Sequence, residues 1–128
     1  VAIMPLVKIY APKTKSVQEL RTISDGVHDA LVAHANVPVD DRFHILNRLE
    51  RHEIVADPSY GGVARSENLI IIEITLNAGR TVEIKKALYA GIASRLEVAG
   101  VRPDDVLISL IEVTKENWSF GGGRATYA

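Results

Sequence analysis

The sequence predicts an α+β fold in which a β-α-β unit occurs twice, giving a four-stranded sheet with two helices on one face. Three observations predict it: four short stretches rich in β-forming residues, two stretches with apolar residues at helical spacing, and an order that places each helix between two strands. The 128 residues, 47% of them hydrophobic, favour a single domain with its own core. We expect units at about residues 5–47 and 69–113, followed by a glycine-rich C-terminal tail.

The first unit begins with a strand over residues 5–11 and continues into a helix that runs from its cap, Ser16, to about His34. Glu19 follows Ser16 at the spacing of a capping box. After a polar turn, residues 43–46 form a short strand candidate. The apolar positions that recur at helical intervals are Val17, Leu20, Ile23, Val27 and Leu31.

The second unit follows an irregular stretch, residues 47–68, which we interpret as a hairpin or a loop. Residues 69–76 are the most β-like stretch, and their lack of strict alternation predicts a central strand that is covered on both faces. A helix begins after the cap Thr81 and ends before Gly100, and residues 106–111 form the last strand. The apolar stripe expected on the helix that follows Thr81 consists of Ile84, Leu88, Ile92 and Leu96.

The two units correspond at an offset of 64 to 65 positions, because Ser16 matches Thr81 and the pair Asp40-Asp41 matches Asp104-Asp105. With both helices on one face and strands that look apolar on both sides, the second face of the sheet needs cover. We expect other copies of the chain to provide it, in a closed homo-oligomer.

Composition excludes several classes of function. Fifteen Lys and Arg against sixteen Asp and Glu give a formal charge of −1, so we expect no binding to nucleic acid or to an anionic membrane. The absence of cysteine excludes disulfides and thiolate chemistry, and His34, His44 and His52 are too scattered to predict a metal site. No cationic segment leads into an apolar export sequence, so we expect a cytoplasmic protein. The longest apolar run, residues 69–72, is far short of a membrane span.

Four features together resemble the tautomerase superfamily, and within it malonate semialdehyde decarboxylase and its relatives. They are Met4-Pro5-Leu6-Val7, the duplicated β-α-β unit, residues 37–43 with the sequence VPVDDRF, and residues 118–121 with the sequence WSFG. The resemblance implies an enzyme without a cofactor, a homotrimer, and a small 2-oxo or 3-oxo carboxylic acid as the substrate. The reaction it implies is keto-enol tautomerisation or decarboxylation.

The resemblance also implies that Pro5 is the catalytic residue, exposed as the N-terminus when Met4 is removed. A free proline nitrogen is a secondary amine, and burial lowers its pKa from about 8 toward neutrality, so it can act as a base, an acid or a nucleophile. The residues Val1-Ala2-Ile3 precede Met4 in this chain, and an acylated proline has no basic nitrogen. We therefore expect Met4 to be the biological start.

Two further catalytic residues, Asp41 and His28, are implied in the same way. Asp41 matches an aspartate that lies near the proline in the decarboxylase, although the matching Asp105 in the second unit leaves a purely structural turn aspartate open. His28 matches a histidine of the decarboxylase, and an ordinary helix histidine is the alternative.

The residues expected to bind substrate are Arg80, Trp118 and Phe120. Arg80 matches the second of two arginines that hold the substrate carboxylate, while Ala78 stands where the first would be. Trp118 and Phe120 would form an apolar wall, with packing at a subunit contact as the alternative. A second class of function also remains open: a catalytically silent, oligomeric domain that binds a small ligand.

Overall fold

The computed structural model describes residues 5–126, which form one four-stranded sheet and two α-helices and confirm the predicted fold class. The proposed removal of Met4 and the status of residues 1–3 lie outside the described residues. The elements are β1 (Leu6–Pro12), α1 (Val17–Ala35), β2 (His44–Leu49), β3 (Ile70–Asn77), α2 (Val82–Val98) and β4 (Val106–Val113).

The sheet has the order β2-β1-β3-β4, and its register gives the molecule an internal two-fold symmetry. Each unit contributes a parallel pair, and the antiparallel pairing of β1 with β3 joins the units. In that pairing Val7 lies opposite Ile74 and Ile9 lies opposite Ile72. The offset of about 65 positions between the units relates Val7 to Ile72 and Ile9 to Ile74. The pair Val7–Ile74 therefore corresponds to the pair Ile72–Ile9, so the two pairs are equivalent under the repeat.

The core lies between one face of the sheet and both helices, and it is built from the alternate residues of β1 and β3 with the inner faces of α1 and α2. Both predicted caps form. The Ser16 hydroxyl accepts a hydrogen bond from the Glu19 amide at 3.0 Å, and the Glu19 carboxylate accepts one from the Ser16 amide at 2.9 Å. Thr81 accepts from the Ile84 amide at 3.2 Å. These bonds satisfy helix N–H groups that would otherwise have no partner.

Two residues predicted for the core stripes lie outside it. Val17 is 70% exposed and Ile84 is 36% exposed. Both belong to the first turn of their helix, and apolar spacing identifies which side of a helix faces inward without showing where along the axis a neighbour is present.

The strand β2 continues to Leu49, three residues beyond its predicted end, and no hairpin follows it. Residues 50–69 form a loop that contains the single-turn helices Arg51–Glu53 and Tyr60–Gly62. Charged residues such as Arg48 interrupt the apolar pattern from which the strand was predicted. β2 can carry them because it is an edge strand, where side chains can reach solvent. The Arg48 guanidinium donates to the Lys13 and Lys15 carbonyls at 3.0 and 2.9 Å, which ties this edge to the end of β1.

The second face of the sheet has no covering layer within the described residues, and it differs in composition from the expectation. Apolar side chains lie toward its margins, where Ile45 is 47% and Ile111 is 43% exposed. Its centre is polar, because Lys8 pairs with Glu73 and Glu73 with Ser109 in register. Alternating burial along β3 therefore replaces the fully apolar strand expected from the sequence.

Neither helix in residues 5–126 is long and apolar enough to cross a lipid bilayer. Across the same residues, no group of three or more His, Asp or Glu side chains is arranged to hold a metal ion.

Candidate active site

The strand directions bring Pro5, the 41–43 segment and the turn after β3 to the same end of the sheet. Leu6 pairs with Thr75, so the start of β1 lies beside the end of β3, and Pro5 is buried there. The Val7 amide donates to the Phe43 carbonyl at 2.9 Å, which holds the residues before β2 beside the start of β1. We call this edge of the sheet the Pro5 end.

Asp41 is partly buried at the Pro5 end, in a tight turn closed by its own amide, which donates to the Pro38 carbonyl at 3.0 Å. Burial raises the pKa of Asp41, the neighbouring Asp40 raises it further, and His28 opposes this. The Asp41 carboxylate has no hydrogen-bond partner within residues 5–126.

The matching residue of the second unit, Asp105, has a different environment. It is 1% exposed, and its carboxylate accepts hydrogen bonds from the amide and hydroxyl of Ser66, both at 2.6 Å, and from Arg102 at 3.4 Å. Asp105 fixes a loop, whereas the Asp41 carboxylate makes no such bond. The structure thus distinguishes two aspartates that the repeat made equivalent.

His28 is 2% exposed, and its Nε2 lies 2.7 Å from the carbonyl oxygen of Val39. Since a carbonyl only accepts, the proton is on Nε2 and the bond holds the backbone two residues before Asp41. The Nδ1 atom is buried and has no hydrogen-bond partner within residues 5–126. The geometry therefore gives His28 a role in positioning the Asp41 turn.

His44, which had no predicted role at this site, lies beside His28 with the ring centroids 6.1 Å apart. Its Nδ1 is 2.7 Å from the Ser24 hydroxyl, and burial lowers its pKa to about 4, with the charges of Arg42 and His28 acting in the same direction. Ser24 and His28 are four residues apart within the apolar stripe of α1. Residues four positions apart lie on the same face of a helix. Two polar residues at this spacing within an apolar stripe are therefore the sequence signal that α1 buries polar groups.

An ion pair supports the same turn from the solvent side. Arg42 donates to Asp25 at 2.6 Å, and this hydrogen bond lowers the pKa of Asp25. Because Arg42 directly follows Asp41, the pair anchors the turn to α1.

Arg80 is partly buried and connects two elements at the Pro5 end. Its Nε and Nη2 atoms donate to the Ala35 carbonyl at 3.3 and 2.9 Å, and Nη1 donates to the Asn77 carbonyl at 3.0 Å. Ala35 is the last residue of α1, so Arg80 satisfies a carbonyl at the helix end. Burial lowers the pKa of Arg80, partly offset by Glu112. Of its five N–H groups, two remain after these three bonds, one on each Nη atom.

Trp118 reaches the Pro5 end, and Phe120 lies farther along the tail. The indole N–H of Trp118 donates to the side-chain oxygen of Asn77 at 2.8 Å, next to the turn that carries Arg80. Phe120 is 40% exposed, and its amide donates to the Thr126 hydroxyl at 3.2 Å. Trp118 is thus half-buried beside the turn that carries Arg80, whereas Phe120 is exposed in the tail.

Comparisons with known proteins agree with this architecture. Two models described as tautomerase enzyme match the chain, one over residues 41–121 and the other over residues 5–61. The probable tautomerase YusQ of Bacillus subtilis (strain 168) is 43% identical, over 95% of this chain and 97% of the relative. The chain belongs to the tautomerase family. A second B. subtilis tautomerase, the probable tautomerase YrdN, is 28% identical over 97% of this chain and 96% of its own.

Solved structures of the family superpose closely on this chain. A malonate semialdehyde decarboxylase inhibited by 3-bromopropiolate has a TM-score of 0.90 and 38% identity, over 95% of this chain and 93% of that chain. A second structure of malonate semialdehyde decarboxylase has a TM-score of 0.88 at 28% identity, with 95% of each chain covered. A fused 4-OT trimer, at 21% identity and a TM-score of 0.78, shows the shared fold.

The lowered pKa of His44 is expected to make the stability of the folded chain depend on pH. The unfolded chain binds a proton near pH 6.5, whereas the folded chain does so only near pH 4. Unfolding free energy should therefore fall as the pH drops through that window, by up to about 1.4 kcal/mol per pH unit. Urea unfolding at a series of pH values should show a weaker dependence in His44→Gln. The exposed His52→Gln should behave like the unsubstituted protein, and parallel curves for all three would contradict the prediction.

Proposed function

We propose that this chain is a cofactor-independent enzyme in which the nitrogen of Pro5 acts on a small 2-oxo or 3-oxo carboxylic acid. The proposal requires Met4 to be removed, because an acylated nitrogen has no basic lone pair. Its main support is the placement of Pro5, buried at the sheet end to which Arg80, Asp41 and Trp118 also belong. Family membership supports enzyme activity in general, and the substrate and reaction are part of the proposal.

As a base, the free nitrogen takes a proton from the carbon beside the keto group, and the C–H electron pair becomes part of an enolate. The ammonium then returns a proton to the enolate oxygen, which gives the enol, or, in an unsaturated acid whose C=C is conjugated with the enolate, to the far carbon of that double bond. Burial disfavours the charged amine and so keeps the nitrogen unprotonated near neutral pH.

As a nucleophile, the same nitrogen condenses with the carbonyl group of a 3-oxo acid and releases water. The bond to the carboxylate breaks, CO₂ leaves, and the electron pair neutralises the iminium to give an enamine. Protonation of the enamine carbon and addition of water then restore the amine and release the product. Both modes use the same site, and the second is supported by the similarity to malonate semialdehyde decarboxylase.

Arg80 is the proposed carboxylate-binding residue, because one N–H on each of its Nη atoms is left over after the bonds to Ala35 and Asn77. A carboxylate can accept hydrogen bonds from both Nη atoms of one guanidinium. The protein bonds also fix the guanidinium in advance, which reduces the entropy cost of binding.

Asp41 is proposed to orient water or to accept a proton beside Pro5, since its carboxylate is partly desolvated and makes no bond to the described part of the chain. His28 supports that role through Val39. Trp118 and Phe120 are proposed to exclude water from the substrate. Because the single chain leaves Phe120 40% exposed, its part in the wall depends on assembly.

We also propose that the enzyme assembles as a homotrimer in the cytoplasm. The uncovered sheet face supports association, because it carries exposed apolar residues such as Ile45 and Ile111. Solved structures of the same fold, the fused 4-OT proteins, are described as trimers.

Protein expressed from Met4 should lose that methionine and then react once with 3-bromopropiolate, at Pro5. Intact-mass and peptide analysis should show a single adduct, and Pro5→Ala should lose both the adduct and most turnover of an enolised 2-oxo acid. The form that begins at Val1 is the control and should not react at Pro5. No adduct on correctly processed protein would favour the silent binding domain instead.

Replacing Arg80 with Ala should raise KM about tenfold or more and change kcat much less, because a carboxylate bond made equally in the bound and transition states is lost. Arg80→Lys keeps the charge but not the paired N–H groups, so its KM should lie between those of the unsubstituted enzyme and Arg80→Ala. Arg21→Ala, on the exposed side of α1, is the surface control. Steady-state kinetics on variants shown to be folded by circular dichroism test this. A change confined to kcat would refute it.

Asp41→Asn and Asp40→Asn should change the acid limb of the kcat/KM profile differently. Activity that needs ionised Asp41 falls as the pH drops through its raised pKa, and the Asn variant should lose this limb together with most activity. Asp40→Asn removes a charge that raises the pKa of Asp41, so the limb should move to lower pH with activity retained. Identical profiles for Asp40→Asn and the unsubstituted enzyme would show that Asp41 does not control the limb.

A further inference from the structure

The internal two-fold symmetry implies that the opposite end of the sheet is built like the Pro5 end. There, the end of β1 lies beside the start of β3, just as the start of β1 lies beside the end of β3 at the Pro5 end. A cleft of about 570 Å³ lies at this opposite end, which is within the size range of small-molecule sites. We call it the second cleft.

The second cleft has an apolar floor and a charged rim. Leu49 from the end of β2, Ile54 from the 50–69 loop and Leu69 before β3 contribute aliphatic surface. Such surface favours the apolar part of a ligand.

Most of the charge in the rim is already paired within the chain. Lys13 contacts Glu50 at 2.9 Å, and Arg51 forms an ion pair with Glu67. These two pairs contribute no net charge to the cleft.

Arg65 is the exception among the basic residues that line the second cleft. It is partly buried and has no carboxylate partner within residues 5–126. Its Nη1 atom donates to the carbonyls of Asp57 and Tyr60, at 3.3 and 2.8 Å, which fixes the side chain. The three N–H groups on Nε and Nη2 make no hydrogen bond to the described residues. The Asp57 carboxylate, also in the lining, accepts from the Ser59 amide at 3.0 Å.

The catalytic groups proposed for the Pro5 end are missing from the second cleft. The position that corresponds to Pro5 is Ile70, whose nitrogen is an internal amide without a basic lone pair. The position that corresponds to Asp41 is Asp105, whose carboxylate is buried and accepts hydrogen bonds from Ser66 and Arg102. A ligand in this cleft would therefore be bound and released without reaction.

We propose that the second cleft is a non-catalytic binding site for a small monocarboxylate with an apolar body, held by the Nε and Nη2 side of Arg65. Its carboxylate replaces water on that unpaired fork, and its hydrocarbon part covers Leu49, Ile54 and Leu69. This inference is independent of the reaction proposed for Pro5, because it uses neither that residue nor the Pro5 end.

Titration of the ¹⁵N-labelled protein with butyrate, followed by amide chemical shifts, tests the proposal. Saturable shifts should appear at Leu49, Ile54 and Leu69, whereas shifts at Leu6 and Asn77 report any binding at the Pro5 end. Butyramide has the same shape without the charge and should bind at least roughly tenfold more weakly, as expected when a charged hydrogen bond is lost.

Two variants separate the role of Arg65 from the integrity of the loop. Arg65→Gln should weaken butyrate binding at the second cleft roughly tenfold or more, while Arg21→Gln, which is outside the cleft lining, should leave it unchanged. Ala56→Trp fills the cleft without altering Arg65 and should abolish the shifts. Absence of saturable shifts at the cleft, equal binding of butyramide, or unchanged binding in either cleft variant would overturn the proposal.

Discussion

The antiparallel pairing of β1 with β3 is the constraint on which the rest of the structure depends. Each β-α-β unit has only two strands, and two-stranded sheets are marginal alone, so the units share a continuous sheet and a continuous core. Antiparallel pairing also fixes which chain ends meet. It brings Pro5, from the first unit, to the turn that carries Arg80, from the second, and neither unit holds both groups.

Desolvation then gives the polar groups at the Pro5 end their chemical character. Burial raises the pKa of Asp41. The N–H groups of Arg80 that are still available to a ligand are those not bonded to Ala35 and Asn77. The buried His28 anchors the turn before Asp41 through a backbone carbonyl. Because a buried polar group without a partner is costly, most of these side chains are fixed before a ligand arrives.

The two ends of the sheet share the same strand pairing but differ in chemistry. The repeat duplicates the pairing of β1 with β3 but not the side chains or the chain topology: Ile70 is an internal residue, and Asp105 binds Ser66. Duplication of a fold therefore produces two equivalent sheet ends, and the residues present at each decide whether it can support a reaction or only binding.

The sequence by itself determined the four strands, the two helices, their caps and the repeat, because these follow from local spacing and capping chemistry. It also pointed to Pro5 and Arg80 through resemblance. Only the tertiary structure decided that Val17 is exposed, that His44 joins His28, and that Asp41 and Asp105 differ. Those properties depend on which groups from distant parts of the chain become neighbours, and local periodicity carries no information about such contacts.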